Sequence, residues 1–189
     1  PIRFKVMYHT KRGEFSYVEH DTILVHPMNS ITWDKTEHMG SFITPRESVI
    51  STFSHRSMSM LNGSIANGIP KKVQQAMYLF DALGASGLTY VTDPDSGFAT
   101  MHAKKQAIDY VMFPRETLKK KSGDCDDLTA LYASLLESVG IKTAIVTVPG
   151  HVFMMFDTEV PHNCRGDITA QQNMVHEMNG TAWIPVEVT

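Results

Sequence analysis

The period of the apolar positions changes along this chain. From the start, IRFKVMYH sets Ile2, Phe4 and Val6 on one side, the two-residue period of a strand. TKRG reads as a turn. FSYVEHDTILVHP resumes the alternation at Phe15 and Tyr17 and ends in the run Ile23 to Val25, which suits a small antiparallel sheet. NSITW, SFITP and ESVISTFSH follow, broken by prolines and polar turns, so residues 1–60 are expected to form a β-rich N-terminal subdomain. The polar, glycine-rich stretch 61–69 reads as a linker. Pro70 then suits a helix start, and Val73, Ala76, Met77, Phe80 and Leu83 recur at the spacing of one buried helical face until GASG. LTYVTDPDSGF reads as a short strand and a turn-rich loop. A second helix is expected from about Met101 to Phe113, ended by Pro114, with RETLKKK a brief turn after it.

The strongest pattern lies in Ser122 to Phe156. Leu128, Leu131, Tyr132, Leu135, Leu136 and Val139 recur at i, i+3, i+4, i+7, i+8 and i+11, a core-facing helical stripe. Asp124 suits the N-cap, and Asp127 three residues on makes an acidic form of the capping box. Gly140 ends the helix, IKTAIVTV is a β-branched run for a central strand, Pro149-Gly150 turn the chain, and His151 opens a second apolar strand, VFMMF. Residues 158–181 are polar and irregular, with a short helical piece at ITAQQNMVHEM. AWIPVEV closes the chain as a strand whose Pro185 calls for a bulge or a sheet edge. The pattern is that of an α+β fold with helices packed on an antiparallel sheet.

With 189 residues the chain can build one sizeable core, or a core domain with a smaller companion. A net charge of -3 gives no broad electrostatic reason to expect nucleic acid, and the basic run Lys119 to Lys121 reads as a solvated helix end. No apolar run is long enough to insert into a membrane. Two cysteines, Cys125 and Cys164, make neither a disulfide framework nor a four-ligand zinc pattern, although they could form one bond with each other. The chain begins at Pro1 and closes on a strand, so both ends read as cuts through a longer polypeptide.

The chemistry-bearing candidates are few. Cys125 falls in the first turn of the best helix, where unpaired N–H groups and the helix dipole favour thiolate, while Asp124, Asp126 and Asp127 oppose it by like-charge repulsion. A lone cysteine is as a rule a small buried hydrophobe. His151 would be the general base, and Glu187, on a neighbouring strand, the acid that orients it. Cys164, His162, His176 and Asp167 have metal-ligand types at irregular spacing, and a polar loop is the plainer reading. Asp93, Asp95 and Ser96 lack the ligand series of a calcium loop, and NGSIANG lacks the lysine of a phosphate loop. His9, His20, His26, His38 and His55 show no ligand spacing.

Taken together, GDCDD, LLESVGI, GHVF and WIPVE resemble the transglutaminase-like superfamily of papain-type cysteine enzymes, and FPRETLKKKSGDCDDLTALYASLLESVG is similar to transglutaminase-like domains of large bacterial proteins. The likeness spans residues 70–189 and implies a papain-like core there. Residue by residue it implies Cys125 as nucleophile, His151 as base and Glu187 as orienting acid, framed by Trp183 and Pro185, with Gly123, Asp124 and Asp127 around the nucleophile. Gln106 is a weaker candidate for an oxyanion donor. Two departures stand out: Glu187 occupies a position where Asp is usual, and the span from His151 to Glu187 is longer than in compact members. The implied activity is cysteine-dependent acyl transfer, a protease or amidase acting on a peptide or isopeptide bond. It would need no cofactor or metal, and would work within a larger protein at a bacterial cell envelope or periplasm. The competing expectation is a catalytically silent module that binds a peptide or envelope polymer.

Overall fold

The computed structural model describes residues 1–61, 66–92 and 108–188. Its centre is a four-stranded antiparallel sheet in the order β7-β8-β10-β9, formed by β7 (Thr143–Val148), β8 (His151–Pro161), β9 (His176–Met178) and β10 (Thr181–Val186). Against it pack α2 (Lys71–Ala85) and α4 (Cys125–Ser138), while α1 (Ser48–Leu61) and the short α3 (Pro114–Lys120) pack on α4. Four short strands make two small pairings: β3 (Ser30–Thr32) with β5 (Ile108–Tyr110), antiparallel, and β4 (Thr89–Tyr90) with β6 (Ser122–Gly123), parallel. The chain opens on a hairpin, β1 (Ile2–Thr10) and β2 (Gly13–Asp21), in register from Ile2↔Asp21 to Thr10↔Gly13. The architecture is thus α+β, with an N-terminal hairpin and helices on an antiparallel sheet.

Helix α4 is the buried axis, and every residue from Asp126 to Leu136 is buried. Its stripe joins Ile50 of α1, Leu79 of α2 and Met154 of β8 in one apolar cluster. A second cluster joins Ile31, Trp33, Met39 and Phe42 to Ala130 and Val152. The Tyr132 hydroxyl, fully inside, donates to the Ala76 carbonyl at 2.8 Å, which makes its burial tolerable.

Several elements differ from the sequence expectation. ESVISTFSH is helical: the β-branched Val49, Ile50 and Thr52 suggest a strand, but Ile50, Ser54 and Ser57 are buried at helical spacing, and the small serines let α1 approach α4. The Ser54 and Ser138 hydroxyls meet at 2.6 Å across that contact. Of the helix expected over 101–113, residues 101–107 lie outside the described residues and Ile108–Tyr110 form a strand. Pro114 opens α3 instead of ending a helix, because a proline at the first helical position gives up an N–H that has no intrahelical partner. RETLKKK is therefore mostly helix. Within ITAQQNMVHEM only Gln172–Met174 is helical, as a single tight turn, and His176–Met178 is strand. IKTAIVTV lies at the edge of the sheet, while β8 and β10 are its inner strands. In α2, Met77 and Phe80 remain 54% and 37% exposed, and Gln74 is buried in their stead. Gln74 binds both backbone groups of Ala66 and the Ile69 carbonyl, tying that stretch to the helix.

Candidate active site

The approach to Cys125 is built from short, tightly fitted pieces. Lys121 ends α3 in the left-handed region at φ 60°, and the chain passes through β6 directly into α4. Gly123 is required there. A Cβ on it would lie 2.6 Å from the Asp127 Cβ and 3.2 Å from Thr117 Cγ2. Tyr90 pairs with Gly123 across the parallel strands, and the Val91 amide donates to the Gly123 carbonyl at 2.9 Å. The motif residue Gly123 thus serves close packing at the helix mouth.

Cys125 is half-buried beside the Val152 cluster, and both cysteines are free thiols. Burial pushes its thiol up to about 11, with the Asp126 and Asp124 charges adding to the rise. The backbone amides of Val152 and Asp126 act in the stabilising direction. The Thr129 hydroxyl also reaches the Val152 carbonyl at 3.5 Å, so the start of β8 is docked against the first turns of α4. His151 is the residue next to that docking point.

Pro149 followed by Gly150 at φ 75° makes the tight turn between β7 and β8, with Val148 opposite His151. The His151 Nε2 is hydrogen-bonded to Glu187 Oε2, and the two side chains are 34% and 45% exposed. The register explains the reach. Val186 lies opposite Met154, so Glu187 comes opposite Phe153, on the face shared by His151, one diagonal step away. The longer arm of glutamate spans that step. Phe153 also lies against the imidazole, with ring centroids 6.1 Å apart and planes at 21°. A carboxylate only accepts, so Nε2 is the donor in this bond, and Nδ1 is the ring nitrogen it leaves unused. Alternation turns Val152 and Met154 toward the helices and His151 toward the other face. Among the described residues no hydrogen bond joins the Cys125 sulfur to the imidazole.

The remaining motif residues have structural duties. Asp124 stands at the N-cap of α4, but its side chain makes no capping bond, so the expected reciprocal capping box does not form. Asp127 instead accepts from the Met112 amide at 2.7 Å. Asp126, 3% exposed, accepts from the Asp127 amide at 2.7 Å. Burial first, then the hydrogen bond and charge of Asp124, push the Asp126 carboxyl far up and keep its proton on at neutral pH. Burial also raises Asp127, to about 6, against the pull of the Met112 amide. Carboxylate oxygens of Asp124, Asp126 and Asp127 lie within 4.8 Å of one another. Among the described residues Cys164, His162, His176 and Asp167 form no such group. The Trp183 indole donates to the Met178 carbonyl and the Thr181 hydroxyl, holding β9 on β10. Pro185 lies beyond the last residue that β9 pairs, where β10 has an open edge; the irregularity of the strand lies between Thr181 and Trp183. Gln106 lies outside the described residues.

Sequence reasoning missed Tyr90. Its phenol is pushed up first by burial and then by the charges of Cys125, Asp124 and Glu187, which places it among the candidate residues. A short strand two residues long gave no signal for this. It also missed two apolar hollows beside the site. A small one of about 90 Å³ lies between Phe80, Leu88, Tyr90, Leu128 and Val188. A larger one of about 430 Å³ lies between Met77 and Phe80 of α2, Met174 and Val175 of the segment after β8, and Val186 and Glu187. The signal was present in Met77 and Phe80, apolar residues on a helix whose buried stripe was already filled.

No family model, curated protein or solved structure matches the chain. No helix among the described residues is long and apolar enough to cross a membrane.

Proposed function

We propose that this chain carries out cysteine-dependent acyl transfer, hydrolysing a peptide or isopeptide bond through Cys125, His151 and Glu187, on a papain-like core of the transglutaminase-like kind. The observation that carries the proposal is the bond between His151 Nε2 and Glu187, made on a strand whose next residue, Val152, belongs to the apolar cluster that Cys125 packs against. That bond fixes the tautomer a general base needs.

In this reading the Cys125 sulfur attacks the carbonyl carbon while its proton passes to His151 Nδ1. Backbone N–H groups at the mouth of α4 receive the oxyanion. The tetrahedral adduct collapses, the C–N bond breaks, and the leaving amine takes the proton from His151. Water then attacks the thioester, again losing its proton to His151, and the acid leaves as the thiol is restored. Because burial holds the thiol near 11, the proton moves as the sulfur attacks, rather than resting on the imidazole beforehand. On the same resemblance the chain works within a larger bacterial polypeptide at the cell envelope.

The raised thiol, and its lack of a hydrogen bond to the ring, favour a second reading: a silent module that binds a peptide or envelope polymer in the same place. Alkylation by iodoacetamide across pH 5–11 separates the two. Acyl transfer predicts a reaction limb near neutral pH that disappears in His151→Ala. A single limb near pH 11, unchanged by that substitution, speaks for the silent module.

A further inference from the structure

The larger hollow beside Glu187 does not belong to the reacting groups, yet it shares a wall with them. Its lining is almost wholly apolar, and Met77 and Met174 leave about half their surface open to solvent across it. Methionines on both walls make it adaptable to side chains of different shape. Its two carboxylates, Asp81 and Glu187, are the charged groups of the lining, and Glu187 is engaged by His151. Phe80 also lines the smaller hollow, which continues past Tyr90 and Leu128, one turn into the helix that Cys125 opens. The segment that lengthens the span between His151 and Glu187 supplies one wall through Ile168, Met174 and Val175. It builds the hollow rather than merely padding a loop.

We infer that this hollow is the specificity site for the substrate: it receives a bulky apolar side chain of a peptide, and Asp81 at its rim favours a basic residue next to that side chain. The inference deepens the acyl-transfer reading and rests on it. A volume of about 430 Å³ is within the range of small-ligand sites and suits one or two large side chains. Glu187 lines the hollow and is hydrogen-bonded to His151, so the occupant is linked to the imidazole through that one side chain. Acidic groups at the rim select against acidic peptides.

Binding is measured with Cys125→Ala protein, in which acyl chemistry is impossible, by NMR titration of decapeptides of glycine and serine carrying Lys-Phe, Gln-Phe or Lys-Ser at the centre. The Lys-Phe peptide binds at least about tenfold tighter than Lys-Ser, the discrimination typical of an apolar pocket. Met77→Ser and Met174→Ser, both at exposed positions, abolish that preference, and Asp81→Asn removes the advantage of Lys-Phe over Gln-Phe. Equal binding of Lys-Phe and Lys-Ser, no binding of either, a preference that survives both methionine substitutions, or a dimer by sedimentation that dissociates in Met77→Ser overturns the inference. Failure of the acyl-transfer reading is seen separately, as a native Cys125 that no acyl donor modifies whatever the peptides do.

Discussion

At Asp126, burial and charge act together. The side chain is 3% exposed, and its carboxyl lies against that of Asp124. Both effects raise the folded-state pKa above the unfolded value of about 3.9. A carboxyl raised in this way contributes stability that is complete below the unfolded value and is lost as pH climbs through the folded one. Asp127, raised to about 6, adds the same trend across pH 4 to 6. The native fold is therefore expected to lose stability between pH 4 and pH 8, with Asp127 alone accounting for roughly 2–3 kcal/mol. Asp126→Asn keeps an acceptor for the Asp127 amide and a donor toward Asp124. It should raise the melting temperature at pH 8 and leave it nearly unchanged at pH 4, measured by thermal denaturation. An equal shift at both pH values would show that Asp126 is not held neutral. Sequence placed three carboxylates beside the thiol, but not which of them is buried, since that depends on the backbone amides of residues as distant as Met112.

Helix α4 was legible because several signals agreed: a long apolar stripe, a polar start and a terminal glycine. Helix α1 was not, because its serine-rich buried face is polar by composition and apt only in contact with α4. The pairing of β8 with β10 could be anticipated from the motifs, whereas its register could not. That register sets Glu187 a diagonal step from His151, a gap the glutamate side chain spans. Glu187→Gln keeps the length of the arm but not its charge, and should lower the rate of Cys125 acylation by roughly 10²–10⁴-fold, a loss of the size general-base catalysis supplies. Glu187→Asp should also slow the reaction, because the shorter arm falls short of Nε2. Stopped-flow acylation rates check both, and a Glu187→Asp protein as fast as native would contradict the diagonal geometry.

Across the whole molecule, two apolar clusters meet on α4. One gathers Ile50, Leu79, Leu131 and Met154; the other brings Ile31, Trp33, Met39 and Phe42 to Ala130 and Val152, next to the thiol. The Trp33 indole donates to Asp109 at 2.9 Å inside the second cluster, so a residue early in the chain helps to hold the ground around Cys125. The opening hairpin differs in kind. Phe4, Val6, Tyr8, Phe15 and Tyr17 share one face and are each 40–51% exposed, so its strands gain little from burial. Alternation alone identified those strands, because a hairpin needs only local pairing, but the run Ile23 to Val25, expected to continue the second strand, lies beyond its end at Asp21. The hollows at the site escaped notice because they depend on which side of a helix is left open after the core is full.

The central claim is that Cys125 is a nucleophile served by His151, and acylation by p-nitrophenyl acetate tests it most directly. The account predicts a burst of p-nitrophenol equal to one per chain, with an acetyl group on Cys125 by peptide mass spectrometry. It also predicts that His151→Ala removes the burst at pH 7. An acetyl group found elsewhere, or a burst that His151→Ala leaves intact, would contradict it.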